Sequence, residues 1–139
     1  MESGVTEPAL NAVGTAQLVV QQSDCASDLI LDNKPDEAFP EVFATTRMIA
    51  LMEMAGARVL HPLLQSGEMS VGVTVDVIHL AATPVGAKVT ATAIYRGRDG
   101  KLFVFDVVAD DSAGPIGRGT HKRAIISRER LLDGAAKRA

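Results

Sequence analysis

The chain has 139 residues, of which 47% are hydrophobic and 22% are charged, a balance typical of a soluble globular protein with one buried core. Its net charge of −3 argues against nucleic acid binding, which needs a basic surface. No apolar run approaches the ~18–20 residues of a membrane-spanning helix. We therefore expect one domain over residues 1–139, with loose ends at 1–12 and 128–139.

The cellular compartment is predicted from the cysteine content and from the start of the chain. Cys25 is the single cysteine and cannot form an internal disulfide, which favours a reducing compartment. The amino-terminal segment lacks the basic and apolar regions of a secretory signal, so we expect a cytoplasmic protein. The three histidines, His61, His79 and His121, have no metal-binding spacing, and neither a metal site nor a cofactor is expected.

The first regular elements expected are short strands. A compact apolar run predicts a strand over residues 15–22. Residues 29–31 form either a second strand or an extended approach to the polar loop at 32–38. Nothing in this part of the chain suggests a catalytic motif.

Residues 39–60, FPEVFATTRMIALMEMAGARVL, predict one long helix that is apolar on most of its faces. Pro40 suits the first turn of such a helix, and Pro62 ends it. A helix that is apolar on most faces is expected to be buried, because one apolar stripe would be enough to hold it on a surface. The later strands are therefore expected to pack around it.

Glu53 lies near the middle of this predicted helix. The residues three and four positions away carry no positive charge, so no cation of the helix can neutralise it. An unpaired buried carboxylate is costly, and either its pKa should rise or its side chain should face a site. The alternative is a cation supplied by a partner subunit.

Four strands with a two-residue period follow the helix: 70–79, 88–96, 101–109 and 116–127. The strict period places Gly72 and His79 on opposite faces of the first of these strands. Short turns join the strands, which predicts an antiparallel meander. The predicted class is α+β, a hot-dog fold in which an antiparallel sheet curls around one long central helix. Because one small sheet covers only part of such a helix, a homodimer is expected.

Four segments of this chain carry a resemblance to a known family. FPEVFAT, LMEMA, VGVTVDVIHLAATPVG and PIGRGTHKRAII resemble, in this order, the fluoroacetyl-CoA thioesterase family of hot-dog enzymes. The resemblance covers residues 39–126. It implies a homodimer that hydrolyses a short acyl-CoA thioester without a metal.

The resemblance also implies roles for individual residues. The catalytic residues it implies are Thr45, Glu53 and His79. The substrate-binding residues it implies are Phe39, as an aromatic lid, Gly72 and Arg123. The family's fluoroacetyl-specific enzyme has a second aromatic residue before the lid, whereas residues 35–38 here read PDEA. Selection for fluorine is therefore expected to be modest or absent.

The candidate residues also have structural explanations. Thr45 or Thr46 could cap the helix, and a regular helix would separate Thr45 from Glu53 by about 12 Å. His79 could be a core histidine bonded to a backbone carbonyl, or it could meet Glu53 as an acid–base pair. Arg123 could be an ordinary exposed strand arginine.

The chemistry expected of these residues leaves several possibilities open. Glu53 would attack the thioester carbonyl, or Glu53 or His79 would deprotonate a water molecule. Thr45 would help to stabilise the oxyanion. Methionines 48, 52 and 54 could line a small acyl chamber near Gly72. The rival functions are a non-catalytic acyl-CoA binding protein and an enoyl-thioester hydratase.

Overall fold

The computed structural model describes residues 7–32, 34 and 36–139. The predicted loop at 32–38 therefore includes two positions, 33 and 35, that lie outside the described residues, as do residues 1–6 of the expected loose end. The strands are β1 Val13–Val19, β2 Glu68–His79, β3 Lys88–Asp99, β4 Leu102–Asp111 and β5 Gly114–Ser127. The helices are α1 Thr45–Leu60 and α2 Arg128–Ala136.

The five strands form one antiparallel sheet in the order β1-β3-β4-β5-β2. Helix α1 contacts all five strands, so the sheet curls around the helix as the sequence predicts. The predicted meander is correct for β3, β4 and β5 but wrong for β2, which pairs with β5 at the sheet edge. The segment between β2 and β3 crosses the fold, and its backbone forms hydrogen bonds with the backbone of Phe43 and of Val20.

Helix α1 begins at Thr45, six residues later than predicted. The preceding segment is extended, and Ala44 has φ −73° and ψ 142°. Its backbone bonds to neighbouring loops instead of to a helix: Val42 accepts from Ala26, and Phe43 donates to the carbonyl of Thr83. Pro40 therefore does not occupy a first helical turn. The predicted short strand at 29–31 is also absent, and no strand includes those residues.

Burial of α1 is one-sided, contrary to the expectation that most of its faces are covered. Seven residues of the helix are buried: Met48, Leu51, Met52, Ala55, Gly56, Val59 and Leu60. On the other side, Met54 is 47% exposed and Arg58 is exposed. Among the described residues, neither helix is both long enough and apolar enough to cross a membrane.

A β-bulge in β2 changes which side chains face the helix. Gly72 pairs with Arg123 and Thr74 pairs with Lys122, so Val73 is an extra residue in the ladder. The strict alternation that puts Gly72 and His79 on opposite faces is therefore wrong. Gly72 lies against Glu53 of α1, and His79 lies against Thr45 of the same helix.

Two glycines of β5 permit close packing on the same inner face. A Cβ atom at Gly117 would overlap the side chain of Met48, and one at Gly119 would overlap the backbone of β2 at Asp76. Because these glycines lack the strand–turn–helix frame of a nucleotide-binding motif, the sequence predicts strand irregularity or close backbone packing here, and the close packing is confirmed. Their role here is to let α1 and β2 approach β5 closely.

Candidate active site

Thr45 and His79 form a hydrogen-bonded pair where the start of α1 meets the end of β2. Thr45 Oγ1 lies 2.7 Å from Nδ1 of His79. The N-cap position of α1 is Ala44, which makes no side-chain cap bond, so Thr45 is not the capping residue that the alternative explanation required. Thr46 is exposed and, within the described part of the chain, has no side-chain hydrogen bond. The structure thus singles out Thr45 of the two threonines.

The second ring nitrogen of His79 has no partner. Nε2 is buried and makes no hydrogen bond to any described residue. A buried ring nitrogen without a partner is costly, which is unusual for a histidine that serves only packing. The core-histidine explanation, with a backbone carbonyl as partner, is therefore wrong. Within one chain, His79 makes no hydrogen bond to Glu53.

An apolar cavity of about 350 Å³ adjoins the Thr45–His79 pair. Besides these two residues, its lining is mostly apolar: Ala26, Pro40, Val42, Phe43, Ala44, Leu80, Ala81 and Ala82. None of the three methionines proposed as a chamber near Gly72 lines it. Met48 and Met52 are core residues, and Met54 is on the surface. Phe39, the expected lid, is 56% exposed and is not part of the lining.

Glu53 forms an ion pair with Arg123 of β5. Nη1 of Arg123 donates to Oε1 of Glu53 at 3.3 Å, and the side chain of Glu53 is 39% exposed. The expectation of an unpaired carboxylate is therefore wrong, because a cation of the same chain pairs with it. The spacing of residues within the helix cannot reveal Arg123 as the partner, because Arg123 lies 70 residues further along the chain.

Arg123 is held from several sides and is only 6% exposed, so it is not the ordinary exposed strand arginine. Its Nε donates to Oγ of Ser70 at 3.0 Å, and its Nη2 donates to the carbonyl of Ser70 at 3.0 Å. Nη1 also lies 3.2 Å from Nε2 of His121. Burial lowers the pKa of Arg123, and the charge of Glu53 opposes this effect. An arginine nevertheless stays protonated.

Gly72 lies directly against the Glu53 carboxylate. A Cβ atom at this position would overlap Oε1 of Glu53 and would lie 3.2 Å from Cε1 of His121. Only glycine therefore allows the carboxylate to occupy its observed position. The structure brings together three of the predicted residues here: Glu53, Gly72 and Arg123.

His121 belongs to the same cluster, although the sequence analysis considered it only as a metal ligand. The residue is 1% exposed, and its ring stacks on Phe105 with centroids 6.4 Å apart. Burial lowers the pKa of His121, and the positive charge of Arg123 lowers it further, while the bond to Thr74 and the charge of Glu53 raise it. The signal in the sequence was the alternation in β5, which puts His121 and Arg123 on one face.

Within one chain, the predicted catalytic residues form two separate clusters. Thr45 and His79 lie at the amino-terminal end of α1, whereas Glu53 lies eight positions further along, about 12 Å in a regular helix. No hydrogen bond between described residues joins the two clusters. We refer to them as the threonine cluster (Thr45, His79) and the glutamate cluster (Glu53, Gly72, His121, Arg123).

Comparison with known proteins identifies the family. Residues 20–129 match the family described as Fluoroacetyl-CoA-specific thioesterase. The fluoroacetyl-CoA thioesterase of Streptantibioticus cattleyicolor is 48% identical over 93 residues, which cover 67% of each chain. A solved structure of fluoroacetyl-CoA thioesterase has a TM-score of 0.88 at 37% identity, covering 94% of this chain and 97% of that chain. A phenylalanine-to-alanine variant in complex with fluoroacetate and CoA has a TM-score of 0.82 at 38% identity, covering 88% and 98%. This hot-dog chain belongs to the fluoroacetyl-CoA-specific thioesterase family.

Proposed function

We propose that this protein is an acyl-CoA thioesterase, which hydrolyses a short-chain acyl-CoA to the free acid and CoA. The observation that carries this proposal is the Thr45–His79 pair, whose buried Nε2 has no partner among the described residues and which adjoins an apolar cavity. A hydroxyl and an imidazole beside an apolar chamber suit a small acyl group with a polar reacting carbon. Family membership supports the same reaction class.

In the mechanism we propose, the glutamate cluster and the threonine cluster have different roles. Glu53 attacks the thioester carbonyl and forms a mixed anhydride, which water then hydrolyses to the free acid and the free Glu53 carboxylate. Alternatively, Glu53 deprotonates a water molecule that attacks the carbonyl directly. The negative charge that develops on the carbonyl oxygen is stabilised by the Thr45 hydroxyl and by backbone N–H groups at the start of α1. When the tetrahedral intermediate collapses, the C–S bond breaks and CoA leaves as a thiolate. His79 can protonate the thiolate where the Thr45 hydroxyl donates to Nδ1; where that hydroxyl donates to the oxyanion instead, Nε2 carries no proton and the thiolate takes its proton from solvent. The reaction as proposed draws on no metal or cofactor, since CoA is part of the substrate.

A homodimer would unite the two clusters. Strand β2 is an edge strand of 12 residues, and it exposes Val73, Val75 and Ile78, with exposures of 51%, 41% and 49%. A long apolar edge strand is a ready partner for another copy of itself. We therefore propose that two β2 strands pair antiparallel in the homodimer.

The sequence of β2 suggests how this pairing would complete the site. Gly72 and His79 are equally far along the chain from the midpoint between Val75 and Asp76. Antiparallel pairing about that midpoint would set Gly72 opposite His79 of the partner subunit. The glutamate cluster of one subunit would then adjoin the threonine cluster of the other, and the unpartnered Nε2 would face a shared site.

The proposed substrates are short acyl groups. Membership of the fluoroacetyl-CoA-specific thioesterase family supports an acyl group of acetyl to butyryl size. The relatives named above are fluoroacetyl-CoA thioesterases, and fluoroacetyl-CoA is accordingly a candidate substrate. With Phe39 as the one aromatic residue in 35–39, we expect the preference for fluoroacetyl over acetyl to be modest or absent.

The test is a panel of acyl-CoAs from acetyl to palmitoyl, including fluoroacetyl-CoA, assayed by release of the free thiol. We expect turnover of the short chains and little turnover of palmitoyl-CoA. Binding of acyl-CoA by calorimetry without release of thiol would instead indicate a sequestering protein. Loss of absorbance from crotonyl-CoA without release of thiol would indicate a hydratase.

A further inference from the structure

The guanidinium of Arg123 is fixed by acceptors on three elements. Ser70 of β2 takes two of its N–H groups, and Glu53 of α1 takes a third. The fourth contact is the one to Nε2 of His121, at 3.2 Å. Because guanidinium has five N–H groups and no acceptor, every one of these partners must be an acceptor.

This requirement fixes the protonation state of His121. Its Nδ1 lies 2.8 Å from the carbonyl oxygen of Thr74, which can only accept, so Nδ1 must carry a proton and donate. Its Nε2 faces an N–H of Arg123, so it must have a free lone pair. One species satisfies both contacts: the neutral imidazole with its proton on Nδ1. An imidazolium would set two N–H groups against each other.

The surroundings of the ring reinforce this arrangement. The charged groups that face it are Glu53 of α1 and Arg123 of β5, and Phe105 of β4 stacks on the ring. The ring is 1% exposed, and on the helix side a Cβ atom at Gly56 would lie at van der Waals distance, 3.4 Å, from its Cδ2. The imidazole therefore has little freedom to turn.

We propose that His121 is a positioning residue of the thioesterase reaction: its neutral imidazole holds Arg123, and Arg123 in turn holds the Glu53 carboxylate against Gly72. The chain of contacts runs from the Thr74 carbonyl at the β2 bulge, through His121 and Arg123, to Glu53. His121 does not touch the reacting atoms in this scheme. The inference rests on the proposed function, in which Glu53 acts on the substrate.

Two amide substitutions separate positioning from packing. In His121→Gln the amide reaches the place of Nε2 and can still accept from Arg123, whereas in His121→Asn the shorter amide can donate to Thr74 but cannot reach Arg123. We expect kcat to fall at least ~10-fold in His121→Asn and in His121→Phe, with KM nearly unchanged. We expect His121→Gln to restore kcat to within about threefold of the wild type. Equal losses in Asn and Gln variants of equal stability would overturn the proposal.

An NMR measurement tests the same proposal without any activity. The ¹⁵N shifts of the imidazole rings report which nitrogen carries the proton, and the exposed His61 is an internal control. We expect His121 to be neutral with its proton on Nδ1 at neutral pH. A proton on Nε2, or an imidazolium at neutral pH, would overturn the proposal. If the protein hydrolyses no acyl-CoA but shows the expected shifts, the proposed function fails while the contact scheme stands.

Discussion

Thr45 Oγ1 and His79 Nδ1 are joined by a hydrogen bond of 2.7 Å between residues 34 positions apart in sequence. A neutral imidazole has one N–H and one lone pair, so the direction of this bond decides the chemistry of Nε2. If the threonine hydroxyl donates, Nε2 carries the proton and can protonate a leaving thiolate. If Nδ1 donates, Nε2 is a base that can accept a proton from water. The first residue of α1 thereby sets the role of the last residue of β2.

Replacing Thr45 by Val keeps the size of the side chain and removes the hydroxyl. We expect kcat for short acyl-CoAs to fall about 10²-fold, since both the oxyanion donor and the partner of His79 are lost. Thr46→Val is the matched control, because the neighbouring threonine is exposed. Equal effects of the two substitutions on thiol release would contradict the assignment of Thr45.

Replacing Glu53 by Gln removes the charge and keeps the shape. We expect turnover to fall by at least ~10²-fold, which corresponds to about 2.7 kcal/mol of transition-state stabilisation. Because Arg123 is buried and loses its ion-pair partner, we also expect the free energy of unfolding to fall by about 1 kcal/mol.

Glu129→Gln, at an exposed position of α2, is the control for Glu53→Gln and should leave both quantities unchanged. Denaturant titration and thiol-release assays on the same samples measure the two effects. Full activity of the Glu53→Gln variant would remove Glu53 from the mechanism.

A methyl group at position 72 is predicted to disable the site without unfolding the protein. In Gly72→Ala the new Cβ overlaps the end of the Glu53 side chain, which can swing away into solvent. We expect kcat to fall at least ~10-fold and the free energy of unfolding to fall by about 1 kcal/mol, because Arg123 then loses its ion-pair partner as in Glu53→Gln. Gly134→Ala, where a Cβ would meet nothing within 4 Å, is the control and should have no effect on activity. A fully active Gly72→Ala variant would mean that the observed carboxylate position is not needed.

The stability of the protein should fall with acidification below neutrality. Burial lowers the pKa of His121 from its ordinary 6.5, so between 6.5 and the lowered value the unfolded chain binds a proton that the folded chain does not. The stabilisation from a neutral His121 is thus complete above pH 6.5 and is lost as the pH falls towards the folded pKa. We expect His121→Phe to flatten the pH dependence of the melting temperature in this window. An unchanged slope in that variant would assign the effect to other groups.

Mixed dimers test whether the two clusters combine across subunits. Thr45→Val and Glu53→Gln homodimers should both be inactive. If each site takes Thr45 from one subunit and Glu53 from the other, refolding the two variants together leaves one intact site in every heterodimer. We then expect about one quarter of the wild-type activity to return. If mass spectrometry shows heterodimers but no activity returns, both clusters of a working site belong to one subunit. A monomeric mass at micromolar concentration would contradict the dimer itself.

The sequence predicts the parts of this fold that depend on local periodicity. The strands, the central helix and the inward side chains of β5 follow from two-residue and helical periods. The start of α1 was wrong because residues 39–44 are apolar enough for a helix but bond to distant loops at Ala26 and Thr83. Apolar composition does not distinguish a helical segment from an extended one.

The sequence names several residues that the structure brings together, but it does not predict their contacts. Glu53 was correctly singled out as a residue that needs a partner, but that partner, Arg123, comes from the last strand, and no spacing rule connects the two. His121 was missed as a member because a lone histidine in a strand has no distinctive pattern. The residue types of the site can be read from the sequence, but the contacts between residues far apart in the chain cannot.

The bulge at Val73 determines whether Gly72 and His79 face the same side of β2. Gly72 and His79 are an odd number of residues apart, and in an unbroken strand they could not point to the same side. The extra residue converts that odd separation into an even one in terms of the ladder. Deleting Val73 would leave the two residues six positions apart in an unbroken strand, so both would still face α1, whereas deleting a paired residue such as Asp76 would turn one of them away. The number of paired residues between Gly72 and His79, as much as their identity, therefore sets which side chains face α1.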